Sequence, residues 1–222
     1  MAFPGSTLPH AELTGAPVRR EMVTLDRAAE RSTAREALGL PHDRFVVAVM
    51  CGSQGAAAVN RVVDEAVDRL ANRSDLAVYH VVGERFRAQA APDRDGSSGI
   101  LYRVIGYENR MAHLYAAADL MVTRGGAGTI AELATVGAPA IVVPWPGAAE
   151  NHQVDNARVL SDRNAAVLIE QADLTVDRLV AEIESFHAHP DRLHELATQA
   201  YAEGELHRSG ALVGVVERVA RT

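Results

Sequence analysis

Short apolar runs recur along the chain at Phe45–Met50, Leu76–Val82, Ile100–Ile105, Leu120–Thr123, Ala140–Val143 and Ala166–Glu170. They are rich in branched residues and apolar nearly throughout, the pattern of strands covered on both faces rather than one. Helical patterns lie between them, at Ala57–Ala71, Arg110–Ala118, Thr129–Val136 and His152–Arg163. A further helix over Asp26–Leu38 precedes the first run, with Gly39 placed as a left-handed cap and Pro41 just beyond. Strands alternating with helices predict an α/β fold, a single Rossmann-like, doubly wound parallel sheet of about six strands. Three helical stretches, Val176–Phe186, Asp191–Gly204 and Ala211–Arg221, close the chain. Residues 1–20 are rich in Pro, Gly and small side chains and predict a linker-like segment, with one short extended piece near Ala11–Thr14. Ala91–Gly99 predicts a solvated loop.

Composition narrows the class. The 222 residues carry a net charge of −7, with 48% hydrophobic and 23% charged side chains. That is enough apolar material for a real core, and it excludes disorder, collagen-like repeats and disulfide scaffolds. Cys51 is the only cysteine, so no internal disulfide forms, and a reducing, cytoplasmic setting is expected. No apolar run approaches ~18 residues, so no transmembrane segment is expected. The first twenty residues lack the charged-then-apolar layout of a signal peptide. An acidic chain with scattered arginines argues against a nucleic-acid partner.

The candidate chemistry lies where strands hand over to helices. Met50-Cys51-Gly52-Ser53-Gln54-Gly55-Ala56-Ala57 follows the first strand. Its glycines let backbone amides approach an anion, and the next helix offers unpaired N–H groups. The spacing is neither a dinucleotide fingerprint nor a P-loop, and taken alone it equally suits a tight packing turn. Arg124-Gly125-Gly126-Ala127-Gly128-Thr129-Ile130-Ala131-Glu132 repeats the arrangement. Both loops belong at carboxyl ends of strands in one sheet, where open α/β sheets hold ligands. Glu132, about one turn into its helix, suits a sugar diol, or simply complements the helix dipole. Gln153 and Asn156 are three apart, so both amides lie on one helical face and suit sugar hydroxyls, or merely solvent.

Taken together, these segments resemble the donor-binding, C-terminal half of a family 28 glycosyltransferase, a two-domain GT-B enzyme. The pieces that carry the resemblance are Thr14-Gly15-Ala16-Pro17-Val18-Arg19, Gly52-Ser53-Gln54-Gly55-Ala56, Arg124–Leu133, and Glu150-Asn151-His152-Gln153 with Asn156-Ala157, in family order and spacing from about Thr14 onward. The resemblance implies an inverting hexosyltransferase with UDP-N-acetylglucosamine as donor, needing no cofactor or metal. The nearest members make lipid II from lipid I in peptidoglycan synthesis, at the cytoplasmic face of the plasma membrane. It places Arg19 and Ser53 by the donor diphosphate and the backbone of Glu108 against uracil. Ala127, Gly128, Thr129, Ile130 and Ala131 would wrap the diphosphate and sugar. Glu132 would hold the ribose diol, and Gln153 with Asn156 the N-acetylglucosamine hydroxyls.

Two residues depart from the family pattern, Cys51 for glycine and Ala16 for asparagine. Family members also carry an N-terminal acceptor domain that binds the lipid-linked acceptor and supplies the base. Residues 21–222 correspond to the donor-binding domain alone, so no catalytic residue is assigned here. The acceptor would arrive through a missing N-terminal domain or a partner chain, and a nucleotide-sugar binding module or a subunit of a split transferase is the alternative. A nicotinamide oxidoreductase lacks its fingerprint, with Glu84 too late for the usual spacing. Asp93-Arg94-Asp95 has the form of a metal-binding pair but no companion ligands, and His187, His189 and His194 surround a helix break at Pro190. His152 reads as a structural or binding residue rather than a base.

Overall fold

The computed structural model describes residues 1–3 and 9–221, so part of the linker-like segment, Pro4 included, lies outside the described residues. Seven strands form one sheet: β1 (Phe45–Met50), β2 (Leu76–Val81), β3 (Arg94–Asp95), β4 (Leu101–Ile105), β5 (Leu120–Thr123), β6 (Ala140–Val142) and β7 (Val167–Leu168). Their order is β3-β4-β2-β1-β5-β6-β7. Every pairing is parallel except β3 with β4, where Arg94 faces Tyr102 and Asp95 faces Leu101. The helices are α1 (Arg20–Val23), α2 (Arg27–Leu38), α3 (Ala57–Arg69), α4 (Met111–Ala117), α5 (Ala127–Val136), α6 (His152–Ser161), α7 (Val176–Ala188), α8 (Pro190–Glu203), α9 (Glu205–Arg208) and α10 (Ala211–Ala220).

Every strand except the edge strand β3 feeds two cores because successive side chains point to opposite faces. In β1, Val46, Ala48 and Met50 join the core beneath α2, α4 and α5, whereas Val47 and Val49 join the one beneath α3 and α7. This two-sided burial is why the strands carry no polar alternation. It also identifies the sheet as doubly wound, with helices on both faces.

The six expected strands are present, and the seventh lies inside the expected loop Ala91–Gly99. It is only two residues long, and its register owes more to a turn than to hydrophobicity. Asp95 Oδ1 accepts from the backbone N–H of Ser97 at 2.9 Å and from its hydroxyl at 2.7 Å. No strand forms at Ala11–Thr14; that stretch is tied down instead by Thr14 N–H donating to the Met1 carbonyl at 2.9 Å. Helices α1 and α9 went unpredicted because four residues are too few to display a helical period.

Helix α2 matches its expected limits, and its ends explain why. Asp26 accepts from the N–H groups of Ala28 and Ala29 at 3.0 Å, and Gly39 adopts φ +67° at the other end. The helix is pinned to the sheet by Asp119, which precedes β5. Its carboxylate receives Arg31 at 2.5 Å, the fully buried Arg35 at 2.7 Å and the Val46 N–H at 2.7 Å. Arg35 also donates to the carbonyls of Pro41, His42, Arg44 and Ala117, so its guanidinium is paired all round.

Candidate functional site

The strand order reverses between β1 and β5, one running into β2 and the other into β6. The crevice at such a reversal is left open by the connections on either side. The two glycine-rich loops leave the carboxyl ends of these two strands, and together they border a cleft of about 700 Å³. Its lining includes the loop Cys51–Gly55, Gly126, Thr129 and Gln153.

Glycine is required in the first loop for a specific reason. Gly52 and Gly55 have φ of +78° and +62°, and a Cβ on Gly55 would lie 1.9 Å from the Val82 carbonyl oxygen. Around Gly52 there is open space, so the loop backbone is bare toward the cleft. Ser53 sits at its tip, exposed, with no hydrogen bond among the described residues. In the second loop, a Cβ on Gly125 would lie 2.2 Å from the Gln153 carbonyl oxygen, whereas Gly128 faces nothing within 4 Å.

Helix α5 starts at Ala127, two residues before the expected Thr129, which brings Ala127, Gly128 and Thr129 into its first turn. Its N-cap is Gly126, which offers no side-chain cap. The first N–H groups of the helix therefore point outward without a side-chain partner, the geometry that receives an anion. Ile130 and Ala131 are buried and position this turn through packing.

Glu132 stands on the same helix but outside the cleft. Its carboxylate receives Arg19 at 3.3 Å and the buried Tyr115 hydroxyl at 3.1 Å. The sequence did not predict this pairing of two candidate ligand residues, since it joins positions 113 apart. Arg19 also pairs with Glu21 at 3.0 Å. Glu108 is buried, and its side chain is fully engaged: it accepts from Tyr79 Oη at 2.6 Å and from the N–H of Arg110 at 2.8 Å, and pairs with the Arg110 side chain at 3.0 Å. Burial works to raise this carboxyl, but the hydrogen bonds from Arg110 and Tyr79 outweigh it and hold it below its ordinary value. Only the backbone of Glu108 is left for a ligand, and the adjoining Tyr107 ring is exposed.

The two amides of α6 differ. Gln153 lines the cleft and its Oε1 accepts from the N–H of Trp145 at 3.0 Å, so its NH₂ group is the part left to offer. Asn156 donates to the Gly125 carbonyl at 3.1 Å and braces the glycine loop. The helix begins at His152, the start of the expected stretch, after a 3₁₀ turn, and Glu150 and Asn151 both have positive φ.

Three cleft residues, Arg85, Trp145 and Gln171, were not singled out from the sequence, and Arg124, which opens the second glycine-rich loop, was given no role of its own. All follow carboxyl ends of strands, the signal that would have found them. Arg124 donates to the carbonyls of Val143 and Pro144 at 3.0 and 3.1 Å and to Gln171 Oε1 at 2.7 Å. Cys51 is buried beside it, and that burial pushes the thiol up to about 12, which removes it as a nucleophile. Asp93 serves structure, accepting from the Val104 N–H at 2.9 Å. His187 pairs with Asp75 and His189 with the Ser185 carbonyl, so these histidines do not converge.

The chain resembles known proteins throughout. Residues 46–210 match the glycosyltransferase family 28 C-terminal domain. The UDP-N-acetylglucosamine--N-acetylmuramyl-(pentapeptide) pyrophosphoryl-undecaprenol N-acetylglucosamine transferase of Clavibacter michiganensis subsp. michiganensis is 38% identical over 212 residues, covering 95% of this chain and 55% of that protein. The enzyme of the same name from Acidothermus cellulolyticus is 39% identical over 215 residues, covering 96% and 58%. The crystal structure of Acinetobacter baumannii MurG superposes with a TM-score of 0.75 at 26% identity, covering 100% of this chain and 59% of that one. The chain thus spans little more than half the length of the relatives it matches. From its doubly wound sheet, its paired glycine loops and these likenesses, the chain belongs to glycosyltransferase family 28, as a C-terminal domain of that family.

Proposed function

We propose that this chain binds UDP-N-acetylglucosamine as the donor half of an inverting N-acetylglucosaminyltransferase that forms lipid II from lipid I. The observation that carries the reading is the uncapped first turn of α5 facing a glycine-loop cleft at the point where the strand order reverses. The names of the relatives supply donor and acceptor.

The acceptor's 4-hydroxyl on N-acetylmuramic acid attacks the anomeric carbon from the side opposite the diphosphate. The new C–O bond forms as the bond to the phosphate oxygen breaks, and UDP departs. Negative charge then grows on the diphosphate, and the backbone N–H groups of Ala127, Gly128 and Thr129 are pre-positioned to receive it. Ser53 and Arg19 assist there, Arg19 by leaving Glu132 free for the ribose diol. Ile130 and Ala131 hold the turn, the Glu108 backbone meets uracil, Gln153 donates to a sugar oxygen, and Asn156 supports the loop beneath. Residues 21–222 form the donor domain, following the linker-like segment of residues 1–20. The acceptor and the base that takes its proton come from an N-terminal domain or partner chain at the cytoplasmic membrane face.

Calorimetric titration with UDP-N-acetylglucosamine, UDP-N-acetylgalactosamine, UDP and NAD tests this reading. Saturable binding of the first, weaker binding of its 4-epimer and none of NAD is the expected result. A folded sample that binds no uridine nucleotide overturns it.

A further inference from the structure

Trp145 is the only tryptophan of the chain, and the residue is 51% exposed at the edge of the cleft. Large aromatic rings are seldom left half in water without a use, because burying one contributes more than almost any other side chain. Its backbone, by contrast, is held on every side. The preceding Pro144 carbonyl accepts from Arg124 at 3.1 Å. The Trp145 N–H donates to Gln153 Oε1 at 3.0 Å, and its carbonyl accepts from the Ala148 N–H at 3.1 Å. The ring itself rests on Gly147, where a Cβ would come within 2.6 Å of Cζ2 and 2.8 Å of Cε2. A glycine at 147 is thus the seat that lets the indole lie against the loop.

A fixed backbone presenting an exposed aromatic face, hydrogen-bonded to an amide whose NH₂ group remains to be used, is a carbohydrate-recognition pairing. A pyranose has an apolar face of axial C–H groups and a polar rim of hydroxyls. The indole suits the first and the Gln153 amide the second. We infer that Trp145 stacks on the pyranose ring of the donor sugar and that Gly147 seats it for that contact. The inference rests on the donor-binding reading given above, and it assigns sugar affinity, as distinct from nucleotide affinity, to this loop.

The single tryptophan makes the test direct. UDP-N-acetylglucosamine should change the intrinsic fluorescence of the protein, and UDP should change it much less. Trp145→Ala should weaken UDP-N-acetylglucosamine binding by about five- to tenfold in calorimetry, the scale of one aromatic contact, and leave UDP affinity within twofold. Trp145→Phe should recover most of the loss. Gly147→Ala keeps the indole but displaces it, and should reproduce the selective loss while the thermal melt shows a folded protein. If Trp145→Ala binds UDP-N-acetylglucosamine as tightly as the unaltered protein, or loses UDP affinity in the same proportion, the stacking assignment is overturned while donor binding stands. If the unaltered protein binds neither ligand, the donor reading falls and this inference falls with it.

Discussion

Glu132 illustrates how one side chain answers to two partners. Its carboxylate is paired with Arg19 and hydrogen-bonded by Tyr115; as a ribose ligand it would exchange the first of these for a diol. Glu132→Ala should weaken UDP-N-acetylglucosamine binding by about 1.5–3 kcal/mol, the range for hydrogen bonds to a charged group, with the fold intact by circular dichroism. Ser53→Ala should cost less, since the loop amides remain. His80 offers a different test. It is wholly buried, with Nδ1 2.7 Å from Tyr102 Oη and Nε2 3.1 Å from Asn60 Oδ1. Asn60 Nδ2 already donates to the Val82 carbonyl at 2.9 Å, so its Oδ1 receives the His80 Nε2 proton, while the Tyr102 hydroxyl also donates to Asp64 at 2.6 Å. Burial lowers its pKa to about 3. The unfolded chain therefore takes up a proton near pH 6.5 that the folded one refuses. The stability present above pH 6.5 is lost as pH falls toward 3, at up to about 1.4 kcal/mol per pH unit. Thermal melts at pH 7.5 and pH 5 should show this decline, shallower in His80→Gln; identical pH profiles for the two proteins would refute the assignment.

Among the elements, α2 depends most on a single residue. Asp119 joins Arg31 and Arg35 of this helix to the Val46 amide at the start of the first central strand. Asp119→Ala strands the buried Arg35 without its carboxylate, and a loss of about 3–5 kcal/mol is expected in denaturant unfolding. A change below about 1 kcal/mol would show that the carbonyls around Arg35 suffice alone. Helix α6 carries a milder case. Asn156→Ala removes the brace on the Gly125 carbonyl and should cost about 1 kcal/mol, together with some donor affinity. Asn156→Asp, which sets an acceptor against an acceptor, should be worse on both counts. The longer strands and helices were legible in the sequence because burial on two faces leaves long apolar runs and Gly39 marks a helix end, whereas the four-residue α1 and α9 and the start of α5 were not. The edge strand β3 was not, because two polar residues paired through a turn carry no hydrophobic period.

At the scale of the whole molecule, the chain spans little more than half the length of its relatives, and the proposed division of labour can be tested on it directly. Alone it should bind the donor and make no lipid II, and adding a separately produced acceptor half should restore transfer of labelled N-acetylglucosamine; transfer by the chain alone would refute the division. Local order was readable in advance because it is written in neighbouring residues. Apolar runs imply strands, glycines after them imply bare amides, and the ordered set of motifs implies the family. What had to await the folded chain were relations between residues distant in sequence. These include the strand order that brings β1 beside β5, Asn156 reaching the Gly125 carbonyl, and Arg19 closing on Glu132. Trp145 seated over Gly147 beside Gln153 is close in sequence yet was equally hidden, because Trp-Pro-Gly looks like an ordinary loop. Periodicity records which face a residue turns to the core, but hydrogen bonds between side chains depend on distances that only packing sets.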